Sequence, residues 1–166
     1  MIPSFGTLAL VLAAFVAMEP ITYVVHRWVM HGPGMAWHRS HHARRSGRLE
    51  RNDWYPVVFA STTIAAMALG ALVPAVRFLL PIGVGVTLYG LAYLFVHDVY
   101  IHRRIGRLPT TAPLEQLADA HALHHRFGGE PYGMLAPVVP AALRERARAA
   151  GFRRERGTAL EVERVA

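Results

Sequence analysis

With 166 residues the chain has the length of one domain, yet 53% of it is hydrophobic and only 17% charged, too little polar surface to wrap an ordinary soluble domain. It has no cysteine, which excludes zinc-finger, iron–sulfur and disulfide chemistry. The net charge of +7 comes with no nucleic-acid motif, so nucleic acid is excluded as a partner and the arginines are assigned to membrane topology and anionic lipid.

From Ile2 to Val25 the only charged side chain is Glu19, which predicts a first membrane helix. The segment lacks a basic start and runs directly into His26, so it is expected to be retained rather than cleaved as a signal peptide. His26 and His31 follow, then a helix break at Gly32, Pro33 and Gly34, then His38, His41 and His42. After a basic stretch holding Arg39, Arg44, Arg45, Arg48 and Arg51, Asn52 and Asp53 are placed to cap a second membrane helix, Val57 to Val73, about 17 uncharged residues long. A turn at Pro74 to Arg77 leads to a third, Phe78 to Val96, of about 19 residues. That helix delivers the chain to His97 and His102, with Arg103, Arg104 and Arg107 beside them, and then to His121, His124 and His125. Met134 to Leu143 spans about ten residues and contains Pro137 and Pro140, so it is expected to lie at the interface or against the site, with a short fourth span left open. The tail from Arg144 to Ala166 alternates arginine with glutamate and alanine and reads as a solvated, partly frayed surface helix.

The expected fold is therefore an all-α integral membrane protein with three or four transmembrane helices and a histidine-rich cap. Residues 1–143 form the membrane-embedded domain and 144–166 a charged cytoplasmic tail. Two crossings separate the first two histidine clusters from the last two, so all four meet on one side of the membrane. That side carries the arginine groups, whereas the hairpin turn has only Arg77, and the excess places the cap in the cytoplasm, at the cytoplasmic membrane.

All ten histidines fall in four clusters that read H-x4-H, H-x2-H-H, H-x4-H, H-x2-H-H, a supply that suits two metal ions better than one. On an α-helix, positions i, i+3 and i+4 share a face within roughly 100°, so His38, His41 and His42 are expected to converge on one point, as are His121, His124 and His125. In the H-x4-H pairs the partners diverge by about 140°, so each pair is expected to straddle a helix end or to address two metals. Imidazole suits iron, zinc, copper and nickel alike. A metal pair at the mouth of apolar helices favours a lipid-soluble substrate, and breaking an unactivated C–H bond there points to iron and dioxygen rather than redox-inert zinc.

The run HRWVMHGPGMAWHRSHH from His26 to His42, ERNDWY from Glu50 to Tyr55, HDVYIHRR from His97 to Arg104, AHALHH from Ala120 to His125 and YGMLAP from Tyr132 to Pro137 resemble the bacterial β-carotene 3-hydroxylases of the fatty acid hydroxylase superfamily. The resemblance covers nearly all the chain from the first cluster to Pro137, and the cluster spacing is specific to this branch. It implies a non-haem di-iron monooxygenase that uses O2 to hydroxylate C3 of β-ionone rings, taking β-carotene through β-cryptoxanthin to zeaxanthin. All ten histidines are then candidate ligands of the two irons, for which zinc can substitute in purified protein. Electrons must come from a ferredoxin, a ferredoxin reductase or a similar donor, because the chain has no flavin, nicotinamide or iron–sulfur motif. Two other classes stay open: a di-iron enzyme acting on a fatty acyl, sphingoid or sterol chain, and a non-catalytic membrane metal-binding or transport protein.

Glu19 lies two turns before His26 on one helix face, so it is expected to hydrogen-bond a ligand imidazole. Asp98 and Asp119 sit beside ligands in sequence but point elsewhere on a regular helix, and Asn52 and Asp53 are candidates for a supporting role behind the ligands besides capping. Trp37, Tyr93, Tyr100, Met134 and Leu135 are candidates to wall an apolar substrate cleft.

Overall fold

The structure is a computed structural model that describes residues 4–43, 49–156 and 160, and its regular structure is entirely helical. Ser4 opens the first helix by accepting the Thr7 N–H on its hydroxyl at 3.3 Å. α1 (Phe5–Val24) continues without a break into a π-helical segment, Val25–Met30. The resulting 26-residue helix is about 39 Å long at about 1.5 Å per residue, enough to cross a bilayer core. A short α2 (Met35–His38) follows the glycine-flanked turn.

The second span runs from Arg51 to Leu72, entering through a 3₁₀ turn, Arg51–Asp53, and continuing as α3 (Trp54–Leu72). The N-cap of this entry is Glu50 rather than Asn52 or Asp53, and Asp53 completes the capping box by accepting the Glu50 N–H at 2.9 Å. A second 3₁₀ turn, Pro74–Val76, reverses the chain into α4 (Leu79–Leu94), which passes into a π-helical segment, Phe95–Ile101, to complete the third span. α4 packs on both α1 and α3. Absence of a side chain permits this: a Cβ on Gly85 would fall 2.3 Å from the Val11 carbonyl oxygen of α1, and one on Gly83 2.2 Å from Met67 Cγ of α3. A Cβ on Gly90 would face open space.

Elsewhere the spans present apolar side chains outward, including Leu8, Leu12 and Val16 of α1, Ile64 and Leu72 of α3, and Leu88 and Leu91 of α4. A soluble bundle would bury such residues, so these helices are built to face hydrocarbon. Among the described residues three helices are long and apolar enough to cross a membrane, and the fourth span left open above does not form. Met134 to Pro140 is irregular, and α6 (Ala141–Ala149) is short and polar. Arg44, Arg45 and Arg48 lie outside the described residues.

The cap forms where α1, the start of the second span and the end of the third come together. α5 (Ala112–Phe127) lies across it and is joined to the third span by a core of Val96, Tyr100, Ile101, Ala118 and Met134. The C-terminal residues are not simply solvated. Phe152 packs edge-on against Phe127, and the Arg154 guanidinium, 7% exposed, pairs with Glu115 and, at 2.8 Å, with Asp119.

Candidate metal centre

The histidines gather into two neighbouring groups. His26, His31, His38, His42 and His124 form one, and His41, His97, His102 and His121 the other, with the ligand nitrogens of each group lying within 4.8 Å of one another. His125 joins the second, its Nε2 being 3.1 Å from that of His41 and 2.9 Å from that of His121.

Proton bookkeeping shows what such closeness requires. A neutral imidazole has one N–H. His26 donates it from Nδ1 to the Tyr132 carbonyl at 3.0 Å, and His38 from Nδ1 to Asn52 Oδ1 at 2.8 Å. Their Nε2 atoms nevertheless face each other at 3.1 Å, two lone pairs with no proton between them. His124 also donates from Nδ1, to the Gly129 carbonyl, and turns a bare Nε2 toward those of His31 at 3.1 Å and His42 at 3.2 Å. Lone pairs converge in this way around a cation. Two ligands at right angles on bonds of about 2.1 Å are separated by about 3.0 Å, the spacing found here, so the donor set fits metal ions.

Outside the spans, burial and then neighbouring imidazoles hold His41, His121 and His125 well below the usual histidine range. Burial lowers His38 to about 4 and His124 to about 3 although each donates a hydrogen bond that favours the charged form. These side chains are neutral at pH 7, the state a metal ligand needs.

The way the clusters share the two groups corrects the helix-geometry expectations. Both H-x4-H pairs stay together, His26 with His31 and His97 with His102, because each ends a π-helical segment. The His31 N–H bonds to the His26 carbonyl at 3.0 Å and the His102 N–H to the His97 carbonyl at 2.9 Å, the five-residue spacing that brings i and i+5 to one side. Each pair straddles a helix end, and both of its members stand in one group. The H-x2-H-H clusters do the reverse. His38 and His42 face the first group while His41 faces the second, and His124 faces the first while His121 and His125 face the second. Rather than converging on a point, each cluster divides between both groups, His121, His124 and His125 from the face of α5 and His38, His41 and His42 from the end of α2 and the turn after it.

Supporting contacts differ from expectation in several places. Glu19 meets no imidazole. Its carboxylate accepts the Tyr89 hydroxyl at 2.6 Å and the N–H groups of Met134, Leu135 and Ala136 at 2.9, 3.1 and 2.9 Å. The loop after α5 reaches this carboxylate first and satisfies it. Asn52 supports His38, whereas Asp53 pairs with Arg104 at 2.7 Å and Asp119 with Arg154. Asp98 points toward the site after all, because the π-helical turn brings its Oδ1 to 3.3 Å from His97 Nδ1. Glu50, whose Oε2 lies 3.6 Å from His41 Nδ1, Arg104, and the Tyr132 and Gly129 carbonyls were missed. Glu50 stands in the ERNDWY motif and was within reach of sequence reading; backbone carbonyls were not.

Of the cleft candidates, Tyr93 stacks obliquely 5.1 Å from the His97 ring and Trp37 is exposed against Tyr55. Tyr100 and Met134 line no cleft: both are fully enclosed, Tyr100 donating to Glu115 at 2.6 Å, because they face α5. Leu135 packs against the same core.

The fatty acid hydroxylase family model matches residues 11–141. A beta-carotene hydroxylase of Pseudescherichia vulneris is 41% identical over 140 residues, covering 81% of this chain and 78% of that protein. One from Pantoea ananas is 39% identical over 160 residues, 89% and 90% of the two chains. The beta-carotene 3-hydroxylase 1, chloroplastic, of Arabidopsis thaliana is 39% identical over 142 residues, 81% of this chain and 45% of that one. No solved structure matches the chain.

Proposed function

The chain belongs to the fatty acid hydroxylase family, and we propose that it hydroxylates carotenoids, acting on C3 of the β-ionone ring to convert β-carotene through β-cryptoxanthin to zeaxanthin. The observation that carries this reading is the pair of histidine groups, with unprotonated nitrogens converging, at the ends of helices whose flanks face lipid. Beta-carotene hydroxylases at about 40% identity along most of the chain support the substrate class.

His26, His31, His38, His42 and His124 would hold one iron, and His41, His97, His102, His121 and His125 the other. Iron bound there would supply the reductive activation of O2 that hydroxylation needs, with one oxygen atom entering the C–H bond and the other leaving as water at the cost of two electrons and two protons. Asn52 and the Tyr132 and Gly129 carbonyls fix three imidazoles in the tautomer that leaves Nε2 free. The apolar faces of the spans offer the polyene a path from the bilayer, so that the ring meets the cap without crossing water. A ferredoxin-type protein is the proposed electron donor. Arg39, Arg51, Arg103, Arg104 and Arg107 at the histidine end, against Arg77 at the hairpin, support a cytoplasmic cap in the cytoplasmic membrane.

Co-expression with β-carotene synthesis and chromatography of the pigments tests this. β-Cryptoxanthin and zeaxanthin formed only under air are the expected products. Unchanged β-carotene beside newly hydroxylated acyl or sterol lipid would overturn the substrate assignment.

A further inference from the structure

The two histidine groups differ in the charge of what stands behind them. In the first, three Nδ1 atoms meet neutral oxygens: Asn52 Oδ1 and the carbonyls of Tyr132 and Gly129. In the second, Asp98 Oδ1 lies 3.3 Å from His97 Nδ1 and Glu50 Oε2 lies 3.6 Å from His41 Nδ1. Both carboxylates belong to one bracket. Arg104 Nε is 3.1 Å from Asp98 Oδ1, and its Nη2 is 3.6 Å from Glu50 Oε1 and 2.7 Å from Asp53 Oδ1. Arg104 is 17% exposed and the first two carboxylates 14% and 11%, so water screens the bracket little. The second group thus has carboxylate oxygens on the outer side of His41 and His97, where the first has neutral ones.

A carboxylate behind an imidazole raises its basicity and strengthens its bond to a metal, whereas a neutral oxygen mainly orients it. We infer that the two metal positions are inequivalent: the position of His41, His97, His102 and His121 holds its ion more tightly, and Arg104 is the positioning residue that aims Glu50 and Asp98 at their imidazoles. The inference rests on the binuclear reading above.

The test uses the full chain in nanodiscs, loaded anaerobically with isotopically enriched ferrous iron and challenged with EDTA while iron retained per chain is measured. Two release phases of one iron each are expected. In Asp98→Asn and Glu50→Gln, near-isosteric changes that keep the fold, the slow phase accelerates by about 10- to 100-fold and the fast phase does not move. Asn52→Asp, which places a carboxylate behind His38, slows the fast phase. Arg104→Gln accelerates the slow phase and Arg104→Lys restores part of the difference. Mössbauer spectra of the loaded chain should show two doublets of equal area, of which Asp98→Asn and Arg104→Gln shift one. Two irons leaving wild type at a single rate, a fast phase that responds to Asp98→Asn, or two doublets that Arg104→Gln shifts equally would overturn the inference and leave the binuclear reading standing. A wild-type chain that takes up fewer than two irons would overturn both.

Discussion

Along the spans, side chains such as Leu12, Val16, Ile64, Leu72 and Leu91 point outward, while in the cap the most deeply enclosed side chains include His38, His124, Tyr100 and Met134. The spans satisfy their backbone within each helix and leave apolar surface to lipid, so their integrity asks little of the cap. The cap has the opposite construction. Beside its small apolar core it buries a cluster of imidazoles whose lone pairs face one another, and a bound cation would make their convergence favourable. The two regions should therefore fail separately: losing metal should loosen the cap and leave the spans inserted.

The largest expected effect comes from the cap's own ligands. His38→Ala, His41→Ala, His121→Ala and His124→Ala should each abolish hydroxylated pigment while the protein remains in the membrane fraction with its helix content intact. The two clusters these residues belong to each spread their histidines across both groups. Near-normal turnover in two of these variants would break the contrast.

Acid offers a second separation. Burial depresses His38 to about 4 and His124 to about 3, from the usual 6.5 of an exposed histidine. Below that exposed value the unfolded chain binds protons the folded cap cannot, so the cap's stability is fully present above about pH 6.5 and declines as pH falls toward the folded values. Metal release adds to the loss, since the ligands must stay unprotonated. Between pH 7 and 4.5, hydrogen exchange should rise in α5 and around Met35–His38 while α1 and α3 remain protected. Uniform exchange across both regions would show that they unfold together.

The spans were legible in the sequence because uninterrupted apolar runs have no other outlet, and the cluster pattern gave all ten converging histidines. Their partition was not legible. A regular helix separates His26 from His31 by about 140°, and nothing in VHRWVM announces the π-helical turn that closes the gap. The other π-helical segment, Phe95–Ile101, likewise sets Asp98 beside His97 against a helical-wheel reading. Glu19 was singled out correctly as a carboxylate needing partners within a membrane helix, yet its partners are amides more than a hundred residues away, a tertiary contact that local spacing does not encode.

The join between the two regions supplies the smallest and most discriminating effect. Glu19, on the first span, grips the N–H groups of Met134, Leu135 and Ala136, and the adjoining Tyr132 carbonyl holds His26. In Glu19→Gln the remaining oxygen can keep Met134 and Ala136, and the Tyr89 hydroxyl can rotate to accept from the new amide. The Leu135 N–H alone loses its acceptor, a cost of about 1–3 kcal/mol. Because that loop orients His26, turnover should fall by about 10- to 100-fold, with metal content reduced less than in a ligand variant. Tyr89→Phe removes only the hydroxyl contact, costing stability about 1.5–3 kcal/mol for a hydrogen bond to a charged group, but leaves all three amides bound, so turnover should change by less than about threefold. If Tyr89→Phe proved as damaging as Glu19→Gln, the packing of α4 on α1, rather than the grip on the loop, would be what couples spans to cap.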